Sequence, residues 1–177
     1  MYRIDVLLKQ NQELFHTRDL AVLWGIANPN TLYTTIKRYV ARGILIPVHK
    51  GLYSVKPIDT LDPALVGAAA IHAYAYVSLE TVLARHGVIF QAGDAITFVS
   101  AQSRRFSLAG QAYVVRRMPD RFIYCDTGIE RSDGVLTASV PRAMADMLYI
   151  NPRFHADNPD AVDWKAVRIV QKEVGYS

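Results

Sequence analysis

The chain has 177 residues, 51% of them hydrophobic and 20% charged, with a formal net charge of +4. That is enough apolar material for one or two compact domains and too much for a disordered regulator. No apolar run approaches the ~20 residues that cross a bilayer, the start Met1-Tyr2-Arg3-Ile4-Asp5 lacks a signal-peptide plan, and Cys125 stands alone, so the expected setting is the reducing cytoplasm, with no internal disulfide and no membrane partner.

The charge is unevenly placed. Residues 1–56 carry eight Lys/Arg against three Asp/Glu, and the remainder carries twelve against thirteen. The whole positive excess therefore sits in the first third, which points to a polyanionic partner for that third alone.

In chain order, residues 2–12 have Ile4, Leu7 and Leu8 at helical spacing, so a first helix is expected there. Leu14-Phe15-His16 reads as a short extended link. Thr17 is an N-cap candidate with Asp19 in the first turn, opening a second helix over Arg18–Trp24 that buries Leu20, Leu23 and Trp24 and stops at Gly25. After the turn at residues 26–29, either Asn28, with Pro29 in the first helical position, or Asn30 caps a third helix that runs to about Arg42 and ends at Gly43. Residues 44–48 and 52–55 are two strands around the turn His49-Lys50-Gly51. Helix, helix, helix, hairpin is the order of a winged helix-turn-helix, here spanning residues 1–58. Residues 56–63, with two prolines and two aspartates, read as a linker.

A second domain is expected over residues 63–177. Its predicted elements are an Ala-rich helix at 63–72, a short strand at 75–77, and a helix at 79–86 capped by Ser78. Strands follow at 95–100, 103–108, 111–117, 122–126 and 134–138. Next come a helix from Pro141 to Ile150, with Ala143, Met147, Leu148 and Ile150 inward, and a last helix near 162–174. The fold class is α+β: the winged helix-turn-helix followed by a mixed α/β domain with a mainly antiparallel sheet.

The third helix carries the chemistry. At 100° per residue, Leu32, Ile36, Tyr39 and Val40 share one face. Asn30, Thr31, Thr34, Lys37, Arg38, Ala41 and Arg42 share the opposite face, with Tyr33 at the boundary, and that face holds no acid. Short polar side chains near the start of such a helix let the backbone approach base edges, Asn can bond adenine and Arg guanine, and flanking cations fix register on phosphates. A solvated helix that lacks acids is the plainer alternative. His49 and Lys50 at the hairpin tip are candidate phosphate or minor-groove contacts, and Arg18 a candidate backbone contact, each set against an ordinary exposed turn.

No catalytic, cofactor-binding or metal-binding set emerges, and an enzyme is not expected. The five histidines (16, 49, 72, 86, 155) show no ligand spacing with one another or with Cys125, and no phosphate loop or hydrolase motif occurs. Glu80 and His86 do not share a helix face. Cys125 is expected in an apolar strand, packed rather than reactive. The doublets Arg104-Arg105 and Arg116-Arg117 fall in adjacent strands, where one of each could line a basic groove or simply face solvent.

Three segments together resemble the AbiEi antitoxin family. They are Asn30-Thr31-Leu32-Tyr33 through Arg38, Gly43-Ile44-Leu45, Val48 and Lys50-Gly51-Leu52-Tyr53; then Tyr76-Val77-Ser78-Leu79-Glu80-Thr81-Val82-Leu83-Ala84-Arg85-His86-Gly87-Val88-Ile89; then Pro141-Arg142-Ala143-Met144-Ala145-Asp146-Met147-Leu148-Tyr149-Ile150-Asn151-Pro152. The resemblance spans about residues 10–155. It implies a bacterial regulator of a type IV toxin–antitoxin module, which binds inverted repeats in its own promoter and counters an AbiEii-like nucleotidyltransferase toxin without a stable complex. It would put DNA contacts on Thr31, Tyr33, Thr34, Lys37, Arg38 and Lys50. Many members continue for longer at the C-terminus than Ser177 here. Two other readings stay open at this point: a ligand-sensing transcriptional regulator, and a phosphotransferase acting on the toxin.

Overall fold

The computed structural model describes residues 3–176, and the chain divides into two compact units, Met1–Asp62 and Pro63–Ser177. Both are mixed α and β. Among the described residues no helix is long and apolar enough to cross a membrane.

The first unit runs α1 (Arg3–Leu8), β1 (Leu14–His16), α2 (Thr17–Trp24), α3 (Pro29–Ala41), β2 (Ile46–His49) and β3 (Leu52–Ser54). Helix α1 is shorter than the predicted 2–12, of which Tyr2 lies outside the described residues. Residues 9–12 are polar, and two of their side chains bond the main chain: the Gln10 amide donates to the Val6 carbonyl and the Gln12 amide to that of Leu14. The expected link at 14–16 is instead a strand. It pairs with β3 in the register Leu14↔Ser54, Phe15↔Tyr53 and His16↔Leu52, giving an antiparallel sheet of order β1-β3-β2. Pro47, which has no N–H to give a ladder, sits on the edge strand β2 next to a register shift. Leu7, Phe15, Leu20, Trp24, Ile26, Leu32, Ile36 and Leu45 form the core, and the Trp24 and Tyr39 rings lie 5.1 Å apart.

The second unit contains α4 (Pro63–Ile71), β4 (Ala75–Val77), α5 (Leu79–Arg85), β5 (Ile96–Ser100), β6 (Arg104–Leu108), β7 (Gln111–Arg117), α6 (Asp120–Ile123), β8 (Ile129–Ser132), β9 (Val135–Ala138), α7 (Val140–Ile150) and α8 (Trp164–Val174). Its six strands form one sheet in the order β6-β7-β5-β4-β9-β8. The sheet is mainly antiparallel, as expected, with two parallel pairings inside it: β7 runs parallel to β5 and β4 parallel to β9, between antiparallel pairs. Helix α4 covers one face so closely that a Cβ on Gly67 would lie 2.5 Å from the Tyr113 ring. Helices α5 and α7 meet the other face, and α8 packs on α7.

Residues 122–126, expected as a strand, are not one. Pro119 and Asp120 start the short helix α6, and Phe122 packs edge-on against Tyr149 and Tyr176. Cys125 therefore lies in the following loop, half-buried, and not in an apolar strand. Strand β8, which the sequence reading omitted, folds back on β9 through Asp133 and Gly134, both at positive φ (49° and 83°). That pair of angles is the signature of a two-residue hairpin turn, and Asp-Gly is a preferred sequence for it.

Candidate nucleic-acid interface

Helix α3 begins where Asn28 takes the N-cap. Its Oδ1 accepts from the backbone N–H of Asn30 at 2.9 Å and of Thr31 at 3.2 Å, and Pro29 fills the position that needs no N–H. Asn28, not Asn30, is thus the cap, and the Asn30 carboxamide makes no bond to another described residue. Leu32 and Ile36 are buried, and Tyr39 and Val40 half-buried, on the core side. Thr35, which the sequence reading put on neither face, is buried with its hydroxyl on the Thr31 carbonyl at 2.8 Å. Every member of the opposite face is exposed: Asn30, Thr31, Tyr33, Thr34, Lys37, Arg38, Ala41 and Arg42. Thr34 donates its hydroxyl to the Asn30 carbonyl at 2.8 Å, which leaves the oxygen's lone pairs facing outward.

The cations of this surface are not neutralised from within the unit. Lys56 pairs with Glu13, and Asp19 accepts the His16 backbone N–H at 2.8 Å. Among the described residues, Arg18, Lys37, Arg38, Arg42 and Lys50 have no carboxylate partner. An exposed ammonium or guanidinium without a partner keeps its full field toward solvent and any polyanion there.

The hairpin tip is tied to the start of α2. The Gly51 carbonyl accepts the Thr17 backbone N–H at 2.8 Å and the Thr17 hydroxyl at 3.2 Å. The hydroxyl expected to cap α2 is used here instead, and His16 occupies the cap position. Gly51 itself has φ of 76°, and a Cβ there would press on the Thr17 hydroxyl at 3.3 Å. The result is a groove of about 690 Å³ lined by Tyr33 of α3, Thr17 of α2, and Val48, His49, Lys50 and Tyr53 of the hairpin. His49, Lys50 and Arg18 are all exposed. Thr17 and Tyr53 are additions to the predicted set. Their signal in the sequence was their position beside Arg18 and Gly51, which periodicity alone does not read.

The second unit encloses a buried polar cluster that the periodicity of its helices does not foretell. Arg142 and Asp146, both of zero exposure, lie one turn apart on α7 with Nε to Oδ1 at 2.8 Å. All five guanidinium N–H groups are used: the other four donate to the carbonyls of Cys125, Thr127 and Phe122 and to the Tyr76 hydroxyl. The carboxylate accepts four bonds, the remaining three from Tyr76, Ser78 and Tyr176. Ser78 therefore does not cap α5. Burial, then the neighbouring Asp146, pushes the Tyr76 and Tyr176 phenols well above their usual range, and both stay neutral donors. Burial disfavours the Arg142 charge, but the Asp146 carboxylate outweighs it. With every donor and acceptor taken, the cluster clamps β4, α6 and α7 together and has no group to spare for chemistry. Arg142 and Asp146 take innermost places on α7, while Ile150, expected inward, is 37% exposed and Leu148 half-buried. One signal was present: α7 has no other charged residue, so no ordinary polar face existed for the pair to join.

Each Arg doublet is split across the two sheet faces, Arg105 with Arg116 on one and Arg104 with Arg117 on the other. Arg104 stacks 4.5 Å over Phe106 and donates to the Ala70 carbonyl, on the α4 face. Arg116 pairs with Glu80 at 3.3 Å on the opposite face. Among the described residues no group of three His, Cys, Asp or Glu could hold a metal ion. No protein-family model matches the sequence, and no curated protein is detectably similar to it.

Proposed function

We propose that the first unit is a winged helix-turn-helix that binds duplex DNA, with α3 in the major groove and the β2–β3 hairpin as the wing. The observation that carries this reading is the exposed face of α3: hydroxyl and amide groups at its N-terminal end, unpaired cations toward its C-terminal end, and no acid. Asn30, Thr31, Thr34 and Arg38 are the base-reading candidates. Arg18, Lys37, Arg42 and Lys50 are the phosphate contacts, with Tyr33 and His49 at the groove wall.

The three sequence segments that resemble AbiEi antitoxins extend the proposal. The chain is then a repressor of its own operon, two copies sitting on inverted repeats in the promoter. Its second unit counters a nucleotidyltransferase toxin without forming a stable complex.

The test is fluorescence anisotropy of the purified chain on a labelled duplex from upstream of its gene, against a scrambled duplex. Tighter binding to the native duplex is expected. Arg38→Ala should weaken it by about 1–3 kcal/mol and erase the preference. Equal, weak binding to both duplexes by the wild-type chain would defeat the repressor reading. Growth rescue of cells expressing a nucleotidyltransferase toxin of the AbiEii type tests the antitoxin part.

A further inference from the structure

We infer that the second unit binds a small zwitterion with an apolar side chain, of the α-amino-acid class, in a groove between α5, β7 and the segment after α7. The groove has a volume of about 530 Å³, inside the range of about 300–1,000 Å³ usual for small-molecule sites. Its floor is apolar: Leu79, Ile89 and Met147 are buried, and Phe154 is half-buried. Such a floor asks for a hydrocarbon side chain.

Two opposite charges stand beside that floor. Arg116 Nη2 donates to Glu80 Oε1 at 3.3 Å, a single and long bond. The second carboxylate oxygen of Glu80 is buried and has no donor among the described residues. Buried acceptors are nearly always satisfied, so this oxygen lacks a donor, which a ligand N–H supplies once the carboxylate turns to face the groove. The Arg116 side chain is 42% exposed, and its other N–H groups have no protein acceptor among the described residues. A guanidinium in that condition can fork onto a carboxylate.

An ammonium on Glu80, a carboxylate on Arg116 and an alkyl or aryl group on the floor describe one molecule. A simple cation would be repelled by Arg116 and a simple anion by Glu80, whereas a zwitterion meets both with the favourable sign. Gln91, Asn151, His155 and Asp157 complete the polar lining, with Asp157 accepting the Phe90 N–H at 2.8 Å and Asn151 that of Arg153 at 3.2 Å. Leu79, at the head of the groove, has φ of 54°, a conformation that side chains rarely adopt. The bond from its neighbour Ser78 to Asp146 anchors it. Strain of this kind is kept where the surroundings fix it, and it gathers at ligand sites.

Isothermal titration calorimetry on the full chain tests the inference with L-leucine, L-phenylalanine and L-methionine. The partner probes are 3-methylbutylamine, which lacks the carboxylate, and 4-methylpentanoate, which lacks the ammonium. At least one amino acid should saturate the chain, and the leucine-derived probes should bind at least about tenfold more weakly than leucine wherever leucine binds. Arg116→Gln should weaken the amino acid by about tenfold and tighten the amine, and Glu80→Gln should weaken both. No binding of any amino acid at about 10 mM overturns the inference. So does equal affinity for leucine and its two analogues, which needs no variant to fold. DNA binding is not an input to any arm, so this result and that of the promoter assay stand or fall separately.

Discussion

Raising the salt concentration perturbs the proposed DNA complex without altering the protein, and its effect can be worked out in advance. Each phosphate neutralised by a cation releases counterions and adds about −0.9 to the slope of log affinity against log salt. Arg18, Lys37, Arg42 and Lys50 are exposed and unpaired, so one copy on a half-site should show a slope of about −3.6, and two copies on an inverted repeat about −7. From about 50 to 200 mM salt, half-site affinity then falls about 150-fold. Lys37→Ala should flatten the slope by about 0.9 and weaken native and scrambled duplexes alike. Arg38→Ala, if its side chain reads a base, should leave the slope nearly unchanged and weaken the native duplex alone. Anisotropy titrations of a labelled half-site across a salt series measure all of these. A slope near zero, or identical slope changes from the two substitutions, would refute the division of α3 into phosphate and base contacts.

The remaining predictions concern stability. Tyr76 and Tyr176 have phenols raised above 10.0 by burial and by Asp146. Above that pH the unfolded chain loses these protons while the folded chain keeps them, so stability should fall with rising pH by about 1.4 kcal/mol per unit for each tyrosine. Urea midpoints through the alkaline range should show this, and Tyr176→Phe should remove about half of that fall. Asp146→Asn strips Arg142 of its only charged partner among the described residues and should cost about 3–5 kcal/mol by chemical denaturation; a loss below about 1 kcal/mol would mean the cluster is far more tolerant than its geometry says. Gly67→Ala drives a methyl into the Tyr113 and Phe98 rings and should lower stability by about 1–3 kcal/mol, seen as a reduced melting temperature. Asn28→Ala removes the cap of α3 and should cost about 1 kcal/mol, which calorimetric unfolding would register.

The face of α3 was legible because Pro29–Ala41 is long enough for its period to show and one side of it is plainly apolar. The hairpin at 46–54 was legible from its glycine turn. Strand β1 was not, because three residues carry no period, and only pairing with β3, nearly forty positions away, makes them a strand. Strand β8 was recoverable from Asp133-Gly134 but was passed over because Ile129–Ser132 has just one apolar residue. Residues 122–126 misled for the opposite reason: a short apolar run fits a strand and a helix equally, and Pro119 decided it by opening a helix over Asp120–Ile123. Arg142 and Asp146 were hidden because the carbonyls that satisfy the guanidinium come from residues 15 to 20 positions back in the chain. The groove beside Glu80 and Arg116 joins α5 to β7, and no local pattern encodes a meeting of that kind.

The register of the central strand also sets an order of events during synthesis. Val77 of β4 pairs with Thr137 of β9, roughly sixty residues later, while β1 and β3 of the first unit are complete by Ser54. A ribosome therefore releases a finished first unit well before β4 can receive its second neighbour. Until then Ala75-Tyr76-Val77 has an apolar flank open to other nascent chains on the same message. Slowed translation across residues 80–137 should accordingly raise the insoluble fraction, and a holding chaperone should lower it.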